Sequence, residues 1–377
     1  MEAKKIKIFV DGHVFDKEYQ GAQTFIRELY TSLIARHPDM DVYFGAYNTT
    51  GISLIFPTLP KTNFLPYKKR SIGLLRFVFD IPGHLKKQQF DFAHFQYISP
   101  KKIPGCKYVV TLHDVLFNDY KQDFSWLYRV SRNVLFGSSI RRADIKTTVS
   151  AYSKQRICSQ YGIPRADMHI IPNGVNNTLL QYQHSRQQAA DIIAKKYGIK
   201  DFILYTSRIE PRKNHLLLLS KYLKLGLDKR GIALVFIGKE SIPSPALLKL
   251  IKCLNPQQKK LFTRIQQVDQ ADLAAFYRAC RLFAYPSKAE GFGIPPLEAA
   301  ACGAPVLCSS ATAMQSFTFF EPNTFDPADE KDFEKKLLHM IDVPASGAFT
   351  AKVATQVLQQ YSWQTGSDKL YDLLQIN

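Results

Sequence analysis

Short apolar runs and longer amphipathic stretches alternate along nearly the whole chain. The apolar runs at 6–10, 42–46, 91–96, 108–112 and 145–150 each read as a strand, and 22–36 and 126–142 carry the 3.6-residue periodicity of helices. A second set follows, with strands over 202–207, 232–238, 282–285 and 305–308, and a short helix over 272–279. Another helix opens at the paired prolines 295–296 and stops at Gly303, because Pro tolerates a first helical turn and Gly a helix end. Two or three helices finish the chain, the last beginning at Tyr361-Ser362-Trp363. Strands alternating with helices predict an α/β fold, and 377 residues are too many for one ordinary core. Two domains are expected, over 1–175 and 176–360, with 361–377 as a terminal helix and the polar run 181–188 as a linker.

Composition narrows the class. Hydrophobic residues make up 46%, as in an ordinary globular protein. No stretch reaches the ~20 apolar residues that span a bilayer, and the start is a basic lead into a strand, so a cytoplasmic location is expected. The six cysteines form no C-x-x-C pair and read as reduced core residues. Charge is less ordinary. The chain carries a net +18, and 61–165 alone holds 19 basic against 6 acidic residues, a surplus of 13. Within it, 67–79 interleaves cations with large apolar side chains. Such a segment suits either peripheral contact with an anionic membrane or a helix packed on its own sheet. Nucleic acid ranks last, because no binding module accompanies the charge.

The strongest candidate chemistry lies at 285–306. A strand ends at Tyr285, a turn carries Gly291, Phe292 and Gly293, and a helix starts near the paired prolines 295–296. Glycines let a ligand approach the backbone and a helix start favours an anion, so the turn suits a phosphate. Glu290 and Glu298 flank it, eight positions apart. A second cluster, Arg208 to Asn214, ends the strand at 202–207 in cations, with Arg208 and Lys213 chemically suited to a diphosphate. His113 stands at a strand's carboxyl end, where open α/β sheets bind ligands. The chain opens as a Rossmann unit without G-x-G-x-x-G, so NAD is not implied.

The run Glu290-Gly291-Phe292-Gly293 through Glu298 to Pro305-Val306 resembles the E-x7-E signature of glycosyltransferase family 4. The resemblance extends to Thr-Leu-His-Asp at 111–114, I-P-N-G-V at 171–175, the R-x-x-x-x-K-N of 208–214 and F-D-P at 325–327. It implies the GT-B fold: two Rossmann-like domains facing across a cleft, with a C-terminal helix crossing back to the first. It also implies a retaining, metal-independent enzyme that moves a hexosyl unit from a nucleoside-diphosphate sugar to a saccharide. GDP-mannose or a related deoxyhexose donor is favoured, and no cofactor beyond that co-substrate. A lipid-linked acceptor in bacterial surface polysaccharide synthesis (O-antigen or capsule) is the expected setting. By the same resemblance Glu290 and His113 act at the sugar, and Gly21, Arg208, Lys213, Gly291, Phe292, Gly293, Ile294 and Glu298 hold the donor. Val268 borders the base, and Glu298 takes the ribose hydroxyls. Asp39-Met40-Asp41 spells the D-x-D of metal-dependent transferases of the other major fold, but follows His-Pro and reads as a turn. An epimerase or phosphorylase of the same fold, or a non-catalytic nucleotide-sugar or nucleic-acid binder, remain the alternatives.

Overall fold

Seven strands build the first sheet: β1 (Ile6–Asp11), β2 (Met40–Ala46), β3 (Phe64–Pro66), β4 (Phe92–Gln96), β5 (Lys107–Thr111), β6 (Ile145–Thr148) and β7 (Met168–Ile170). All pairings are parallel, in the order β3-β2-β1-β4-β5-β6-β7. Six more form the second: β8 (Phe202–Thr206), β9 (Ala233–Ile237), β10 (Phe262–Ile265), β11 (Leu282–Tyr285), β12 (Val306–Ser309) and β13 (Thr324–Phe325). These too pair in parallel, in the order β10-β9-β8-β11-β12-β13. The two sheets repeat one winding, each reversing direction beside its first strand. That reversal is where open α/β sheets hold ligands, outside the carboxyl ends of the strands. β8, β9, β11 and β12 are buried along their whole length, which is why their sequences are continuously apolar rather than alternating.

The computed structural model describes residues 5–16, 21–68 and 73–376. One unit comprises Met1–Gly174 with Ser362–Asn377, and the other Val175–Tyr361. In the first, the terminal helix Trp363–Ile376 packs on Gly21–Arg36. Arg36 grips Asp368 with two hydrogen bonds of 2.9 and 2.8 Å, Ser32 meets Ser367 at 2.8 Å, and His37 stacks on Tyr371 at 3.8 Å. Trp363 is buried against Phe25. The other face of this sheet carries the 3-10 turn Gly73–Phe77 and the helices Asp80–Gln88, Trp126–Arg142 and Ala151–Tyr161, all sharing one core with Phe9, Phe95 and Tyr108.

Several expectations are corrected. The 181–188 run is not a linker. Asn177–Gln181 is helical, and Ser185 with Gln188 forms a capping box that starts Arg186–Tyr197, an S-x-x-Q signal that polarity alone hides. Asp41 belongs to β2 and accepts from Asn63 at 3.1 Å, while Asp39 accepts from Tyr371. Cys253 is exposed, unlike the other five cysteines. Of the 67–79 segment, 69–72 lies outside the described residues. Tyr67, Arg76 and Phe77 are buried, and Tyr67 and Arg76 both bond Asp11, at 2.9 and 3.2 Å. Arg76 therefore serves a buried ion pair. Burial would raise the Asp11 pKa, but His13 and Arg76 outweigh it and hold it well below the usual range. Among the described residues no helix is long and apolar enough to cross a membrane.

Gly174 lies against the start of the terminal helix. A Cβ there would stand 2.5 Å from the Trp363 backbone nitrogen. Gly174→Ala is expected to destabilise the first unit by about 1–3 kcal/mol through overpacking, read as a lower urea midpoint. An unchanged midpoint would contradict so close a contact.

Candidate active site

Three carboxyl ends in the second sheet carry the predicted residues. Arg208 and Lys213 follow β8, Val268 follows β10, and Glu290 through Ile294 follow β11. Glu298 sits one turn inside the helix Ile294–Ala301. The structure brings Glu290 and Lys213 into direct contact: Nζ lies 2.6 and 2.7 Å from the two carboxylate oxygens. Both side chains are largely buried. Tyr285 donates its hydroxyl to Glu290 Oε1 at 2.8 Å, and Arg212 approaches Oε2 at 3.4 Å.

Arg212 was not among the predicted ligands. Its guanidinium also donates to the Ala289 carbonyl and to Glu210, tying the strand-end cations to the turn before the glycines. Its place beside Lys213 in a basic cluster was the available signal. Tyr285 and Thr312 were missed as well. Thr312 Oγ1 accepts the Glu290 N–H at 2.8 Å from a residue with φ of 57°, a conformation that sequence does not announce. Thr312 opens the 3-10 turn Thr312–Ser316. Met314 of that turn would meet a Cβ on Gly293 at 3.1 Å, and Gly293 has φ of 100°. Glycine is thus required there by backbone and by space.

Electrostatics set the state of this cluster. Burial would raise the Glu290 pKa, but Lys213 and Arg212 outweigh it and bring it down to about 2. Burial also lowers the Lys213 pKa, with Glu290 opposing. The pair is ionised at neutral pH and its charges neutralise one another. At the helix start, Pro295 and Pro296 carry no N–H, and Gly293 offers no side-chain cap. The donors of that end are therefore the backbone N–H groups of Gly293 and Ile294. Phe292 is buried edge-on to Phe317 and Tyr361, at 6.2 and 5.7 Å. Glu298 is half-buried and accepts from the Tyr277 hydroxyl at 3.2 Å; Arg208 is exposed and Val268 half-buried.

Two predicted residues belong to the first unit. His113, just after β5, is buried, bonds Gln96 Oε1 through Nε2 at 2.6 Å and meets the Phe25 ring edge-on at 4.9 Å. Burial lowers its pKa to about 4, so the imidazole is neutral at pH 7. Gly21 is the first residue of its helix, exposed, with nothing within 4 Å of an added Cβ. Tyr19 and Gln20, which precede Gly21, lie outside the described residues.

Two family models cover most of the chain: Glycosyltransferase Family 4 over 19–179 and Glycosyl transferases group 1 over 187–344. The chain belongs to glycosyltransferase family 4. The serotype-specific mannosyltransferase WbdA of Escherichia coli is 29% identical to this glycosyltransferase over 233 residues, 60% of this chain and 28% of WbdA. The O-antigen chain mannosyltransferase B of Escherichia coli is 27% identical over 228 residues, 60% of this chain and 59% of that one. The matches thus span less than two thirds of either relative. Among solved structures, Anabaena Alr3699/HepE in complex with UDP matches with a TM-score of 0.72 at 15% identity, over 99% of this chain and all of that one. Its fold is that of the GT-B glycosyltransferases, two Rossmann-like domains.

The depressed Glu290 pKa fixes a pH dependence. The carboxylate contributes stability above its ordinary pKa of 4.5, lost as pH falls through about 2. Wild type should exceed Glu290→Gln in stability at neutral pH, and the gap should shrink by on the order of 3 kcal/mol between pH 4.5 and 2. Urea midpoints across that range measure it. A gap that stays constant contradicts the ion pair.

Proposed function

We propose that this glycosyltransferase moves a hexosyl unit, with retention and without a metal, from a nucleoside-diphosphate sugar to a hydroxyl of a lipid-linked saccharide. The setting is assembly of bacterial surface polysaccharide, and GDP-mannose or a related deoxyhexose donor is favoured, in line with the mannosyltransferase names of its relatives. The observation that carries the reading is the buried Lys213–Glu290 pair beside the positive-φ Gly293. It sets a cation, a carboxylate and a close-approach backbone at the carboxyl ends of β8 and β11.

In this reading the donor's diphosphate takes Arg208, Lys213 and the N–H groups of Gly293 and Ile294 as partners, with Gly291 and Phe292 shaping the turn. As the bond from the anomeric carbon to the phosphate oxygen breaks, negative charge grows on the diphosphate, and fixed cations stabilise it without reorganising. Glu290 accepts hydrogen bonds from sugar hydroxyls, and Glu298 from the ribose. The acceptor hydroxyl attacks the face that the diphosphate leaves, forming the new carbon–oxygen bond, and its proton passes to the departing phosphate oxygen. His113, neutral above about pH 4, orients the sugar or relays that proton. Backbone groups near Val268 border the base, and Gly21 the phosphates.

A thermal-shift screen of GDP, UDP, dTDP and ADP with their common sugar conjugates, with and without EDTA, tests the donor assignment. A rise with one base that EDTA leaves unchanged is the expected result, with GDP first. No shift with any nucleotide would overturn the phosphate site. Glu290→Ala should abolish turnover while keeping the fold, and Lys213→Ala should cut kcat/KM by roughly 10²–10³.

A further inference from the structure

The helix Trp126–Arg142 is built the wrong way round for a core helix. Before Phe136 none of its residues is buried, and Trp126, Val130 and Val134, four apart, form an apolar stripe that faces solvent, with Leu127 beside it. Trp126 and Leu127 are each 69% exposed and Val134 64%. The helix's inward contacts come from Tyr128, against Phe117 and Phe124, and from Leu135, Phe136 and Ile140, none of which belongs to the stripe. The helix also carries four arginines and no carboxylate over 17 residues. Arg132 lies over the Tyr128 ring at 5.0 Å, which keeps a cation beside the stripe. Leu74, Val78 and Phe79 are exposed too, beside Gly73–Phe77 and Asp80–Gln88, which share this helical layer and its core.

We propose that the first half of Trp126–Arg142 is a membrane-docking element that lies in the headgroup layer of an anionic bilayer, its apolar stripe toward the acyl chains. An apolar face flanked by cations fits a surface that is negative outside and hydrocarbon beneath. Charge selects this occupant over a second copy: two helices with four arginines and no acid would repel across such a contact, in a chain of net +18. The docking gives the proposed lipid-linked acceptor its place and rests on that reading for its purpose, although not for its measurement.

The chain contains two tryptophans, Trp126 and the buried Trp363, which is 1% exposed. Trp126 therefore reports on the helix. The full chain should co-sediment with phosphatidylglycerol-containing vesicles at low salt, lose affinity at high salt and shift its emission to the blue. Trp126→Ser with Leu127→Ser should weaken partition by roughly 10-fold or more, from the lost burial of two large side chains. Circular dichroism and the nucleotide thermal shift of this variant should match wild type, since neither residue touches the donor cluster. Absence of binding to anionic vesicles, equal binding to neutral ones, or a variant that binds as wild type would each overturn the proposal. A blue shift that grows with protein concentration in the absence of lipid would assign the face to self-association and overturn it as well. Lost nucleotide shifts with intact vesicle binding would instead defeat the transferase reading alone.

Discussion

The site in the second unit depends on one buried ion pair. Glu290 is a carboxylate taken out of water, a change that on its own favours the neutral acid, and it stays charged because Lys213 lies on both oxygens and Arg212 stands behind. Removing either partner would leave an uncompensated charge in a low-dielectric site, at a cost of about 3–5 kcal/mol. The cluster is thereby poised. In the proposed reading, a diphosphate arriving beside Lys213 would bring the negative charge that Glu290 now supplies and free the carboxylate for hydroxyl groups.

Everything around the pair holds it in register. Arg212 links the end of β8 to the turn after β11, and Tyr285, the last residue of β11, adds a hydroxyl from below. Thr312 ties the Glu290 backbone to the turn that closes over Gly293. These partners come from three separate strand ends of one parallel sheet. The winding that reverses beside β8 is what brings β8 and β11 next to each other.

Much of this was legible in the chain. Continuous apolar runs marked the buried strands to within a residue or two, and 126–142 matched its helix end to end, because helical periodicity and Ser125 capping are local facts. The flanking glycines and paired prolines announced the turn before Ile294–Ala301. What the chain hid was long-range. Arg212 looked like one more surface cation until its reach to Ala289 and Glu290, 77 and 78 residues away, was seen. Arg76, in a segment that suited a membrane, turns inward to a buried aspartate 65 residues earlier. The outward stripe beginning at Trp126 has the same periodicity as an inward one, and only exposure tells them apart.

Calorimetric titration of GDP and UDP, each beside its phosphate-free nucleoside, into wild type and Lys213→Ala tests the central claim most directly. The account predicts that the variant loses at least about 10-fold in affinity for whichever diphosphate wild type binds, while the nucleoside is bound equally by both. Equal diphosphate affinity in the two proteins would contradict it, because Lys213 would then serve only to neutralise Glu290.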